Sequence, residues 1–214
     1  QGQFTELRFR LIDVIDKEYG TEEVHMFIDR VSKLGIKFLD KTGFTVGLDD
    51  IDIPKEILDK IDKIVEKAVS DVNELISVYK EGKIEVLPGR TAKESLEDNV
   101  LRVLSKVSED AGRLVEESVK RNCAQIMAKS GARGSMTHIT QLSALVGQVR
   151  SLGNRIQRGY RGRTLSHFRE GDMSPEAHGF IKNSFKSGLN PFEFFFDAMS
   201  GRGSLMDKSL RTRH

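Results

Sequence analysis

The chain has 214 residues, 38% hydrophobic and 31% charged, which is enough for one large or two small globular domains with a real core. It contains no run of 18 or more apolar residues and no basic-then-apolar leader, so neither a membrane span nor a secretory signal is indicated and a cytoplasmic setting is expected. The net charge of +2 hides an asymmetry, −7 over residues 1–120 against +9 over residues 121–214.

The chain starts at Gln1 rather than Met, which reads as an excised or expressed piece of something longer. Two helices are expected first, over about Thr5–Glu18 and Thr21–Lys37, separated at Tyr19-Gly20 and followed by the turn-rich "KTGFTVGLDD". Pro54 then opens a long amphipathic pattern in which Ile57, Leu58, Ile61, Ile64, Val65, Ala68, Val72, Leu75, Ile76 and Tyr79 recur at three- and four-residue steps. The pattern breaks at "EGKIEVLPGR", and "TAKE" at Thr91–Glu94 is a capping box that starts a second one through Leu96, Val100, Leu104, Val107, Ala111, Leu114 and Val115. Two antiparallel helices of about 28 residues, roughly 40 Å each, are therefore expected. They read either as a projecting hairpin or as ordinary bundle helices, and periodicity does not separate the two.

After Val119 the texture changes. From Ser118 to Arg169 there is no Asp or Glu, while Lys120, Arg121, Lys129, Arg133, Arg150, Arg155, Arg158, Arg161, Arg163 and Arg169 all fall there. Such a stretch attracts polyanions, and it reads equally as a solvated basic face balancing the acidic half. The lone Cys123 excludes an internal disulfide and packs as a small hydrophobe. One modest helix is expected from about Thr137 to Gln148. "SGARGS" at Ser130–Ser135 sets Arg133 in a glycine-rich turn just before that helix, an arrangement that suits a phosphate oxyanion, although it lacks the Gly-Lys-Ser/Thr ending of a Walker sequence and an idle exposed loop fits it too. "RIQRGYRGRTLSHF" at Arg155–Phe168 interleaves basic side chains with Tyr160 and Phe168, which suits nucleic-acid backbone and base stacking, or arginines bonded to loop carbonyls.

Asn190, Pro191 and Glu193 make a helix start, and Phe192, Phe194, Phe195 and Phe196 would spread phenyl rings around nearly every side of that helix. A surface helix confines its apolar residues to one stripe, so this one needs partners on several sides. For catalysis the chain offers little: the histidines show no HExxH spacing, no Ser or Cys sits in a nucleophile elbow, and lone residues such as His138 and His178 read as hydrogen-bonded structural groups. Most carboxylates fall at exposed positions of the long helices. The fold class from these patterns is mainly α, with a long antiparallel hairpin and an irregular basic loop and helix region.

Five stretches carry a resemblance: "ESLEDNVLRVLSKVSEDAGRLVE" (94–116), "SGARGSMTHITQLSALVGQ" (130–148), "RGYRGRTLSHF" (158–168), "SPEAHGFIKNSFKSGL" (174–189) and "PFEFFFDAM" (191–199). In order and spacing the chain resembles the largest subunit of cellular multisubunit RNA polymerases, in its archaeal A′ form. More loosely, "KEYGTEEVHMFIDRVSKLGIKFLDKTGFTVGLDD" (17–50) does so too. The resemblance implies four parts: residues 1–53, the helical N-terminal part of the funnel region; 54–120, the funnel hairpin; 121–188, the basic region on the active-centre side; and 189–214, a truncated bridge helix. The funnel would line the secondary channel through which nucleotides enter and on which a transcript-cleavage factor docks.

By the same resemblance Arg133 takes the place of a basic residue that reaches the triphosphate, as Arg where several relatives carry Lys. Gln141, Ser143, Gln148 and Arg155 would support the active centre. Gly201, Arg202, Leu205, Asp207, Lys208, Ser209 and Thr212 would form the template-facing part of the bridge. Of that stretch, Ser200, Gly203, Ser204, Lys208 and Ser209 depart from the more usual Gly-Gly-Arg-Glu-Gly-Leu-Ile-Asp-Thr-Ala. The family's metal-binding signature, Asn-Ala-Asp-Phe-Asp-Gly-Asp, does not occur here, so no catalytic residue and no metal ligand is assigned to the chain, which is expected to be inert alone. Mg2+ would belong to the assembled polymerase. The implied partners are the second-largest subunit, the remainder of the largest subunit, template DNA and RNA, and no membrane. Two other readings remain from the residues themselves, a stand-alone nucleic-acid-binding module and a helical-hairpin interaction scaffold.

Overall fold

The structure, a computed structural model, describes residues 2–86, 88–119, 122–151, 153–157, 159 and 161–210. Thr212, Tyr160, Arg158, Lys120 and Arg121 lie outside the described residues. The chain is mainly α-helical and divides into two compact units, Gln1–Asp50 with Lys120–Met136, and Ile51–Val119 with Thr137–His214.

In the first unit α1 (Gly2–Tyr19) and α2 (Thr21–Thr42) pack as a hairpin. Gly20, at φ 89°, makes the break in a conformation that side-chain-bearing residues avoid. No residue of α2 is buried, and Leu34 and Phe38 are 69% and 63% exposed. The short α5 (Cys123–Ser130) is capped by Asn122, whose Oδ1 accepts from Gln125 N at 2.8 Å. The Nδ2 of the same residue donates to the Asp50 carbonyl at 2.6 Å, which fastens α5 to the end of the first segment.

The second unit is built on α3 (Lys55–Lys80) and α4 (Ala92–Ser118). Each presents one apolar stripe to the other: Ile61, Val65, Ala68, Val72 and Ile76 on α3, and Leu96, Val100, Leu104, Val107, Ala111 and Val115 on α4, all buried. The capping box is present: Thr91 Oγ1 accepts from Glu94 N at 3.3 Å, and Glu94 Oε2 accepts from Thr91 N at 2.8 Å. The hydrogen bonds from the Thr91 backbone and hydroxyl hold the Glu94 carboxyl below its ordinary value.

Beyond α4 the expected Thr137–Gln148 helix is shorter, and α6 spans Met136–Ser143. Ala144 N and Leu145 N both return to the Thr140 carbonyl, and Gly147 takes φ 83°, which a right-handed helix cannot accommodate. Gly147 and Gln148 instead form β1, antiparallel to β4 (Phe180–Ile181), with Gly147 opposite Ile181 and Gln148 opposite Phe180. A second ribbon pairs β2 (Arg150–Ser151) with β3 (Asn154–Arg155), Arg150 facing Arg155 and Ser151 facing Asn154. Around these ribbons Val146, Val149, Ile156, Ile181 and Phe196 form a buried cluster, flanked by Leu165, Phe168, Leu189 and Met199.

The last helix, α7 (Pro191–Leu210), starts as its sequence suggests, with Glu193 Oε2 accepting from Asn190 N at 2.8 Å and from Asn183 Nδ2 at 2.7 Å. Of its four phenylalanines only Phe196 is buried. Phe194 and Phe195 are 64% and 50% exposed.

One ion pair ties the ribbons to the hairpin. Arg155 Nε and Nη2 donate to Glu97 Oε2 and Oε1 on α4, at 2.8 and 3.0 Å, and the arginine side chain is fully buried. Burial opposes the Glu97 charge, but the hydrogen bonds and charge of Arg155, helped by the charges of His178 and Lys93, outweigh it and hold the carboxyl below its ordinary value. A carboxyl so depressed contributes stability that is fully present above the ordinary glutamate range and is lost as pH falls through that range toward its folded value. Glu97→Gln should therefore lower unfolding stability at neutral pH by about 3 kcal/mol, because it strips the partner from a buried charge. It should also flatten the loss of stability seen below about pH 4. Urea titrations at both pH values check this, and matching midpoints for the two proteins at neutral pH would contradict it. Gly147→Ala should likewise destabilise, since its positive φ is strained for alanine and the added methyl would stand 2.5 Å from Ser108 Oγ on α4. A thermal melt unchanged by that substitution would refute the argument.

Candidate functional site

Arg133 lies in the first unit, in the turn that follows α5. Gly131 caps that helix in the left-handed conformation at φ 70°, its N–H and that of Ala132 returning to the last turn, and Gly134 is again left-handed at φ 75°. The two glycines lift Ala132 and Arg133 off the helix end. Arg133 is exposed, and among the described residues nothing forms a hydrogen bond or ion pair with it. A guanidinium held on a rigid turn with all its donors unspent can take a phosphate group in bidentate fashion.

The other expected site residues lie in the second unit and fall into two groups. The first is turned inward. Ser143, buried, donates from Oγ to the Ile139 carbonyl at 2.6 Å. Gln141 supplies its backbone carbonyl to Phe185 N at 3.1 Å. Gln148 Nε2 donates to the carbonyls of Val149 and His178, at 2.7 and 2.9 Å. Arg155, 1% exposed, is committed to Glu97. His178 completes this network, with Nδ1 2.7 Å from the Ile156 carbonyl and Nε2 2.9 Å from the Asp172 carbonyl. Gln148 and Arg155 thus sit on neighbouring ribbons that meet at His178 and Ile156, and their side chains shape the irregular region from within.

The second group lies on α7. Every described residue after Ser200, including Gly201, Arg202, Leu205, Asp207, Lys208 and Ser209, is exposed. The first turns of α7 are gripped by the arginine-rich segment: the His167 and Phe192 ring centroids are 4.7 Å apart, Phe168 and Phe192 6.0 Å, and Phe168 stacks on Phe196 at 6.2 Å. Phe168 is therefore half-buried against α7. Arg161, held at φ 53°, and Arg169 are exposed, and Arg163 is half-buried. The sequence patterns did not single out Glu97, Arg150 or Ser200. Most carboxylates of the long helices read as exposed, whereas the Glu97 side chain is 14% exposed. The signal that would have found it is a glutamate one position past a buried leucine, on the flank of the α4 stripe.

Among the described residues no group of three or more His, Cys, Asp and Glu could hold a metal ion. No described helix is long and apolar enough to cross a membrane.

Sequence comparison finds matches along most of the chain. Residues 6–51 match RNA polymerase Rpb1, domain 3, and residues 76–181 match RNA polymerase Rpb1, domain 4. Similar proteins include the DNA-directed RNA polymerase subunit Rpo1N of Thermococcus celer, 45% identical over 204 residues, 95% of this chain and 22% of the relative. The Rpo1N of Halococcus morrhuae is 46% identical over 203 residues, 94% of this chain and 58% of the relative. That of Sulfolobus acidocaldarius is 47% identical over 197 residues, 92% and 22%. The chain spans between about a fifth and three fifths of the length of these relatives. Matched by two successive domains of one subunit, and aligned to archaeal relatives over more than nine-tenths of its length, the chain belongs to the RNA polymerase Rpb1 family, the largest-subunit family.

Proposed function

We propose that this chain works in DNA-templated RNA synthesis as part of an assembled archaeal-type RNA polymerase, in which α3 and α4 form the secondary-channel funnel and α7 the first half of the bridge helix. The observation that carries the reading is the state of α7. Within this chain it buries only Glu193 and Phe196, while Phe194, Phe195, Leu205, Met206 and Leu210 are 64%, 50%, 66%, 47% and 56% exposed, along one broad face of the helix. Apolar surface of that extent is costly in water, so a helix of this kind is built to be surrounded by other protein and by nucleic acid. A bridge across a cleft meets that description.

In this reading Arg133 positions the triphosphate of the incoming nucleotide. Gln141, Ser143, Gln148 and Arg155 support the active centre by holding the ribbons beneath α7 in shape. Gly201, Arg202, Leu205, Asp207, Lys208, Ser209 and Thr212 bear on the template. The second-largest subunit and the rest of the largest subunit cover the exposed faces, a transcript-cleavage factor meets the hairpin, and the Mg2+ ions are held by residues elsewhere in the enzyme. The chain alone synthesises no RNA and binds nucleic acid weakly.

Arg133→Ala in a reconstituted polymerase should raise the nucleotide KM about tenfold, as expected for the loss of one charge-assisted bidentate contact. Arg133→Lys should recover part of the loss. Steady-state elongation at varied nucleotide concentration checks this, and unchanged kinetics would remove Arg133 from the triphosphate site. Tight, steeply salt-dependent binding of nucleic acid by the chain alone would favour a stand-alone binding module instead.

A further inference from the structure

The β2–β3 ribbon stands between α4 and α7, and it is fastened to both. Arg150 and Arg155 are directly opposite each other in the ribbon, so their side chains leave the same face. Both reach α4. Arg155 engages Glu97, and Arg150 Nη2 donates to Ser105 Oγ at 2.6 Å. Glu97 and Ser105 are eight residues apart, which places them on one side of the helix and roughly 12 Å apart along its axis.

The hold on α7 uses the same ribbon. Ser200 Oγ donates to the Arg150 backbone carbonyl at 2.8 Å, and Phe196, one turn earlier on that side of α7, packs with Val149 and Ile156, the residues that flank the Arg150–Arg155 pair at the open end of the ribbon. Ser200 is half-buried, and each described residue from Gly201 to Leu210 is exposed. Arg150 is thus a single residue whose side chain holds α4 and whose carbonyl holds α7.

We infer that Arg150 is a positioning residue that couples the α3–α4 hairpin to α7, through the series Ser105 hydroxyl, Arg150 guanidinium, Arg150 carbonyl and Ser200 hydroxyl. A displacement of α4 near Ser105 moves the carbonyl to which Ser200 of α7 donates. The tie itself stands on these contacts. Its consequence, that a protein bound to the hairpin adjusts the helix in the active cleft, rests on the polymerase reading.

The test is amide hydrogen exchange, followed by mass spectrometry, on the full 214-residue chain. Ser105→Ala removes a hydroxyl from α4 that does not touch α7. It should speed exchange of α7 amides around Ser200 by about threefold, as the loss of one modest hydrogen bond in the series allows. Ser200→Ala should do the same, and the double variant should go no further than either single one, because both break one series. Ser105→Thr, which keeps the hydroxyl, should restore protection, whereas a merely local role of Ser105 in α4 would leave α7 unmoved in every variant. Unchanged α7 exchange in Ser105→Ala, or single effects that multiply in the double variant, would overturn the inference. RNA synthesis is not part of this readout, so failure of the polymerase reading and failure of the tie are seen separately.

Discussion

A guanidinium taken out of water must meet a carboxylate, and in this chain the meeting of Arg155 with Glu97 decides how the irregular second half is arranged. Among the described residues from Ala144 to Asn190 there are four strands of two residues each and one short 3-10 turn, Glu176–His178, too little regular structure to define a layer. Their backbone instead takes its position from side chains. Arg155 pins one ribbon to α4, Gln148 and His178 occupy carbonyls that would otherwise be unpaired, and Gly147 permits close approach to Ser108. Burying Val149, Ile156, Ile181 and Phe196 then closes a small core between the ribbons and α7, with each such side chain worth about 2 kcal/mol or more.

This arrangement explains why the strongest helix starts in the chain sit where they do. Thr91 and Glu94 fix the first turn of α4, one turn before Glu97, and Asn190 and Glu193 fix the first turn of α7, one turn before Phe196. Each helix start therefore sets the axial position of the residue through which its helix grips the ribbons. Past Ser200 the described residues of α7 are exposed, and Gly201, Gly203 and Ser204 are weak helix formers with open space around the glycines.

Much of the helical framework was legible in the sequence because its causes are local or periodic. The three- and four-residue steps of α3 and α4 are their buried stripes, and the capping residues of α4 and α7 act over three positions. What was not legible depends on partners far along the chain. A two-residue strand has no period to read, and the end of α6 at Ser143 is set by Gly147 and its pairing with Ile181. By type and neighbourhood Arg155 reads equally as a nucleic-acid contact or as an arginine bonded to loop carbonyls, yet its partner is the Glu97 carboxylate, 58 positions away. For the candidate site the division is similar: the glycines that raise Arg133 are visible as letters, while the tie from Ser105 through Arg150 to Ser200 joins three elements that no local pattern connects.

The polymerase reading is tested most directly by exchange of parts. The aligned region of the Thermococcus celer Rpo1N, 45% identical over 204 residues, can be replaced by the present sequence and the chimaeric subunit assembled with its partners. Templated RNA synthesis by the assembled enzyme is the measurement. Elongation comparable to that of the unaltered enzyme is the predicted result. An enzyme that assembles fully, binds its template and yet extends no transcript would contradict the account.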